Sequence, residues 1–239
     1  MSAFYRHRFL LLLLSLFLLF VVQPLVIGLE LAQVLYDGLL TIVFATALFA
    51  VFRERHLLIL ALVLGLPSIV GRWTGYVLPA LPRLPTLVTA HILAALFLAF
   101  SIAVILRSTY RETTVSTDAV CGALCGYLLI GLAFAHIYSG VEAAHPGSLR
   151  GDNALSVSVL NEGQRQALLI YYSFITLTTV GFGDLTPATP LTRVLSWVEA
   201  VFGQFYIAVI MAELIGIRVA QALGERQRRQ PQDQSGHGE

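Results

Sequence analysis

The sequence predicts an all-α integral membrane protein: six transmembrane helices, with a re-entrant helix and a loop between the fifth and sixth spans. Three observations carry this. Hydrophobic residues make up 57% of the chain and charged residues only 12%, with a mean hydropathy of +0.79; soluble domains average roughly 25% charged residues. Apolar segments recur that are long enough to cross a bilayer core of ~30 Å, which takes about 20 helical residues. One further apolar segment is too short to cross, and it ends abruptly in Thr178-Thr179-Val180-Gly181-Phe182-Gly183-Asp184.

The first span is expected over 9–29, with Pro24 near its far end as a kink. Arg6-His7-Arg8 ahead of it imitates a secretory signal, but no small-x-small cleavage site follows, so a retained span is expected. After a polar link from Glu30, a second span opens at Tyr36 or Asp37 and ends near Phe52. The third segment is apolar only over 57–70 and contains Pro67, which fits either a short tilted span or a re-entrant piece. Arg72, Trp73 and Tyr76 then suit the membrane interface. Pro79, Pro82 and Pro85 make a stiff connector to a fourth span over 87–106.

Ser116-Thr117-Asp118 offers N-cap chemistry for a fifth span over 119–138. A polar excursion over 140–165 follows, with a turn at His145-Pro146-Gly147 and a possible extended piece at 156–160. The short helix is expected over 164–178, the loop over 179–187 and the sixth span over 193–217. The chain thus divides into a four-span region (1–115), a second region (116–222) and a disordered tail (223–239).

All fifteen basic residues are arginines. Six crossings place ten of them (Arg6, Arg8, Arg53, Arg55, Arg107, Arg111, Arg218, Arg226, Arg228, Arg229) on one side and five on the other, which puts both termini in the cytoplasm. The net charge of +1 gives no field for nucleic acid. Cys121 and Cys125, one helical turn apart, are expected to be small packing residues. No metalloprotease, nucleophile-elbow or phosphate-binding motif appears, so no enzyme and no cofactor are expected.

The septet has a chemistry of its own. Irregular backbone at membrane depth is tolerated only where protein buries it or water fills a cavity beside it. A dehydrated cation needs oxygens at fixed spacing, and stacked carbonyls of an extended strand supply them when several chains surround one axis. Turning successive carbonyls to one side requires alternating backbone handedness, which accounts for Gly181 and Gly183. Thr179 adds a hydroxyl below the lowest ring, Val180 and Phe182 wedge the strand outward, and the preceding helix presents its negative dipole end.

Those residues, and the longer run Thr176–Pro187, resemble the potassium channel pore with its T-V-G-[YF]-G-D signature. The likeness covers about 119–222; the four earlier spans resemble six-span prokaryotic potassium channels in layout only. It implies that Thr179, Val180, Gly181 and Phe182 bind K⁺ as the permeant ion, with Gly183 completing the filter and Thr178 and Asp184 supporting it. Phe182 stands where Tyr is commoner, and Ile175 where some relatives place a Glu that bonds the filter Asp. Asp184 therefore needs another partner, and Tyr171 is the expected one. Gly203 sits where the family often bends its inner helix, with close packing as the alternative; Gln204, Ile207 and Met211 share a face suited to a cavity.

One loop per chain cannot surround an ion, so a homotetramer in the cell membrane is implied. The expected activity is passive K⁺ conduction, with a weakly selective cation channel or a non-conducting sensor subunit as alternatives. The fourth span contains no arginine, so voltage sensing by regularly spaced charges is not expected. Only 21 residues follow Arg218, and no appended sensing domain is expected in them. Glu199 and Glu213 are costly in lipid and are expected to face protein or water. His91 and His136 are expected to be core residues.

Overall fold

The computed structural model describes residues 8–26, 31–51, 55–77, 83–110, 117–151, 157 and 160–234. In order, the elements are α1 (Arg8–Val26), α2 (Ala32–Val51), α3 (Arg55–Val77), α4 (Arg83–Tyr110), α5 (Thr117–Ala144), β1 (Leu149–Gly151), α6 (Glu162–Leu177), β2 (Leu185–Pro187) and α7 (Pro190–Gln234). All of α1 to α5, and α7 over Pro190–Ile210, are long and apolar enough to cross a membrane, giving six among the described residues. The chain is an all-α multi-pass membrane protein.

The weakest expected span resolves into a single helix. α3 runs unbroken for 23 residues through Pro67, about 35 Å at 1.5 Å per residue. At its end Arg72 turns into the protein, while Tyr76 remains 40% exposed. Arg72 is buried and paired with buried Asp37 of α2 at 2.5 Å, and the Tyr76 hydroxyl donates to the other carboxylate oxygen at 2.9 Å. Neither charge could enter an apolar bundle alone; Asp37 lies inside a helix that begins at Ala32 rather than opening a span after a polar link. Pro85 belongs to the first turn of α4, where a missing N–H costs nothing; 78–82 lie outside the described residues.

α5 is the centre of the fold. α1 and α4 pack along it, α2 and α3 complete the N-terminal bundle, and α6 and α7 close the other side. Small residues make this possible. A Cβ on Gly122 would meet the Phe9 ring at 3.0 Å, and Cys125 donates its thiol to the Phe9 carbonyl, so the cysteines do act as small packing residues. Asp118 reaches across to accept from the Phe9 backbone N–H, satisfying an orphan donor at the start of α1. Ser116 lies outside the described residues.

Three boundaries differ from the sequence expectation. α5 continues to Ala144, shortening the polar excursion. The extended piece expected at 156–160 lies outside the described residues except for Val157 and Leu160; a strand not expected from the sequence, β1, pairs antiparallel with β2, Leu149 opposite Pro187 and Gly151 opposite Leu185. And α7 runs on to Gln234, so the expected disordered tail is helical as far as that residue.

Candidate functional site

The site is built at the junction of α6, the loop behind it and α7. α6 starts at a reciprocal cap: the Asn161 side chain accepts from the Gln164 N–H while the Gln164 side chain accepts from the Asn161 N–H. At its other end the helix carbonyls are taken up by the loop. Thr178 N–H donates to Phe174 O at 3.0 Å, Thr179 N–H to Thr176 O at 2.9 Å, and both Val180 and Gly181 N–H to Ile175 O at 2.9 and 3.1 Å. The Thr178 hydroxyl also donates to Phe174 O at 2.6 Å. Four consecutive N–H groups are thus spent on the helix end, and the loop carbonyls are left without these partners.

The backbone of that loop alternates in handedness. Thr179, Gly181 and Gly183 have φ of 59°, 53° and 81°, while Val180 and Phe182 between them do not enter the positive region. Reversing at every second residue turns successive carbonyls toward a common side instead of alternating them as in a β-strand. Thr179 is the one non-glycine with positive φ among the described residues. Its left-handed conformation costs about 1–2 kcal/mol, and no residue letter signals it in advance; only the register set by the two glycines does.

The expected brace is present. The Tyr171 hydroxyl donates to Asp184 Oδ2 at 2.7 Å, and the Leu185 N–H donates to Oδ1 at 3.0 Å. The accepting carboxylate raises the Tyr171 hydroxyl above the ordinary phenol range, so it stays a donor at neutral pH. Just beyond, the β1–β2 ladder pins the chain that leaves the loop. Buried Glu142 accepts from Gly147 and Leu149 N–H at 2.7 and 3.1 Å, and Ser148 O accepts from Ala188 N–H and the Thr192 hydroxyl, both at 2.9 Å. Thr189 caps α7, with Pro190 in the first turn.

The wedge role expected of Val180 and Phe182 does not arise within one chain, where they are 53% and 71% exposed. Gly203 is a contact point: a Cβ there would lie 2.2 Å from the Leu177 carbonyl oxygen. This favours close packing over a bend, and α7 is continuous through it. Gln204 reaches the Thr179 hydroxyl at 3.5 Å, and Ile207 is exposed near it. Met211 lies on α7, its side chain outside the description.

Two buried polar groupings, one at the start of α6 and one beside its middle, had no sequence signature as partners. His91 of α4 and His136 of α5 bring their Nδ1 atoms to 3.0 Å, with His91 Nε2 facing Glu162 Oε1 at 3.8 Å. Glu199 of α7 is wholly buried against Tyr138 of α5 and Ser173 of α6, so it faces protein.

α7 itself is incompletely covered. Only 17% of its spanning window is buried, against 67% for α5, and Trp197, Phe202 and Phe205 stand exposed. Residues 158–219, which hold α6, the loop and the whole α7 span, match the family described as Ion channel. No curated protein and no solved structure matches the chain. The match supports an ion channel and, with it, ions and a lipid bilayer as the working context.

Proposed function

We propose that this chain is one subunit of a homotetrameric potassium channel in the cell membrane, conducting K⁺ passively, with both termini in the cytoplasm. The observation that carries this is the alternating backbone of Thr179, Gly181 and Gly183, combined with the commitment of the 178–181 N–H groups to the end of α6. Carbonyls of Thr179, Val180, Gly181 and Phe182 then form stacked rings when four chains meet on an axis. K⁺ exchanges water for these rings and advances by repulsion between neighbouring ions. Gly183 and Asp184 hold the outer end, Thr178 the inner end, and Gln204, Ile207 and Met211 line the cavity below. The exposed face of α7 and the uncovered Val180 and Phe182 are the surfaces that neighbouring copies would fill. The ten-to-five arginine distribution supports the orientation.

Flux into liposomes from the purified protein tests conduction. Barium-sensitive K⁺ flux is expected. Gly181→Ala and Gly183→Ala each place a Cβ in a left-handed conformation, costing about 1–2 kcal/mol per copy, and are expected to abolish the flux. Unchanged flux in both variants overturns the filter assignment, and absence of wild-type flux favours a non-conducting subunit. A weakly selective pore has one point in its favour: Phe182 lacks a hydroxyl and Ile175 a carboxylate, leaving Tyr171 as the side-chain brace on Asp184. Bi-ionic reversal potentials in Na⁺ and K⁺ separate the two.

A further inference from the structure

Behind the loop, α5, α6 and α7 meet at a chain of oxygens. The Tyr138 hydroxyl lies 2.7 Å from Glu199 Oε2, the Ser173 hydroxyl is in hydrogen-bond contact with Glu199 Oε1, and the same Ser173 hydroxyl lies 2.6 Å from the Gly131 carbonyl oxygen. Each of these three oxygen–oxygen contacts needs one proton. Tyr138 and Ser173 carry one each, and a carbonyl carries none. With Glu199 ionised, one pair of buried oxygens would face each other at hydrogen-bond distance with nothing between them, whichever way Ser173 turned.

A single assignment satisfies the count. Tyr138 donates to Glu199 Oε2, Glu199 donates from Oε1 to Ser173, and Ser173 donates to Gly131 O. The surroundings agree. Glu199 and Ser173 have no solvent exposure. Among the described residues no arginine or histidine forms an ion pair with Glu199. An unpaired ionised carboxylate in such a place is far costlier than a protonated one.

We propose that Glu199 is a neutral carboxylic acid, and that its proton, donated to Ser173, makes it a positioning residue holding the back of α6 between α5 and α7. Ser173 is the residue before Phe174 and two before Ile175, the carbonyls that anchor Thr178, Val180 and Gly181. Two tight contacts flank it: a Cβ on Gly131 would meet the Phe174 ring at 2.8 Å, and one on Gly203 would meet Leu177 O. The acid adds to a joint that also holds the Tyr172–Ser196 hydrogen bond between α6 and α7 and works otherwise by close packing. That this joint sets a filter rests on the channel function proposed above; the proton count does not.

The test is infrared difference spectroscopy of the full-length protein in lipid vesicles at neutral pH, wild type minus Glu199→Gln. The expected result is loss of a protonated carboxylic acid carbonyl band. Loss of an ionised carboxylate band instead overturns the proposal. Alongside, Glu199→Gln keeps a donor and an acceptor, so its folded-to-unfolded ratio is expected to exceed that of Glu199→Leu by about tenfold, the effect of stranding a buried donor or acceptor. Equal loss in the two variants counts against a neutral donor. If Glu199→Gln does not assemble, Ser173→Ala takes its place: removing the acceptor must shift the acid band, and an unshifted or missing band overturns the assignment. The spectrum needs no conduction, so an acid band in vesicles without K⁺ flux refutes the channel and leaves the proton in place. Flux without the band does the reverse.

Discussion

Replacing Gly203 by Ala separates two accounts of the same residue. As a contact point, Gly203 lets α7 touch the end of α6: an added Cβ would sit 2.2 Å from the Leu177 carbonyl oxygen and 3.0 Å from its Cδ1. An ordinary C···O contact is about 3.3 Å, so the two backbones must part by roughly 1 Å. The carbonyl oxygen is backbone and cannot swing aside as the Leu177 side chain can. Overpacking of this kind costs about 1–3 kcal/mol, and the better helix propensity of Ala returns only about 1 kcal/mol. A net loss of up to about 2 kcal/mol per copy is expected. As a pure bending point, the same substitution removes a flexible residue from a helix and stabilises it by about 1 kcal/mol. The sign therefore decides. Thermal unfolding of purified protein in lipid is the assay, with Gly216→Ala as the control, because a Cβ at Gly216 meets nothing within 4 Å and stabilisation is expected there. A higher midpoint for Gly203→Ala, matching the control, refutes the packing account. A lower one, accompanied by weakened discrimination of K⁺ from Na⁺, supports it.

Tyr171→Phe removes the 2.7 Å hydrogen bond to Asp184, and faster slow inactivation or reduced selectivity is expected in current recordings; unchanged behaviour removes the brace from the account. The phenol is raised in the folded chain, so this contribution is whole below the ordinary phenol value of about 10 and is lost as pH rises through the raised one. The wild type should lose selectivity on that alkaline side, and Tyr171→Phe should show no such limb. Arg72→Ala leaves buried Asp37 without its counter-charge, a loss of about 3–5 kcal/mol. Asp37→Asn combined with Arg72→Ala should cost less than the sum of the single changes, and strict additivity in thermal unfolding would show that the pair is not coupled.

The sequence by itself determined the spans and the loop, for physical reasons that act locally. In a bilayer each backbone group must be satisfied within its own helix, so crossing segments announce themselves by length and apolarity. Even the third, interrupted by Pro67 and followed by Arg72, was legible, because the arginine distribution favours six crossings over five. Gly181 and Gly183 mark the reversed backbone because few other residues adopt it cheaply. The Tyr171–Asp184 pair was legible only through the resemblance, which leaves Asp184 without a Glu at position 175 and points to Tyr171 instead.

The tertiary structure decided what depends on distant partners. Arg72 looks interfacial until Asp37, 35 residues earlier, is seen beside it. His136 meets His91 across 45 residues, and Glu199 meets Tyr138 across 61. No periodicity encodes such pairings, because each helix shows only that it has a polar residue on some face, not what the face opposite offers. Thr179 has φ of 59° because the helix end behind it and the glycines ahead impose it, against its own preference. And the proton on Glu199 is a property of three helices at once: Tyr138, Ser173 and Gly131 must converge before two hydroxyls can be counted against three contacts.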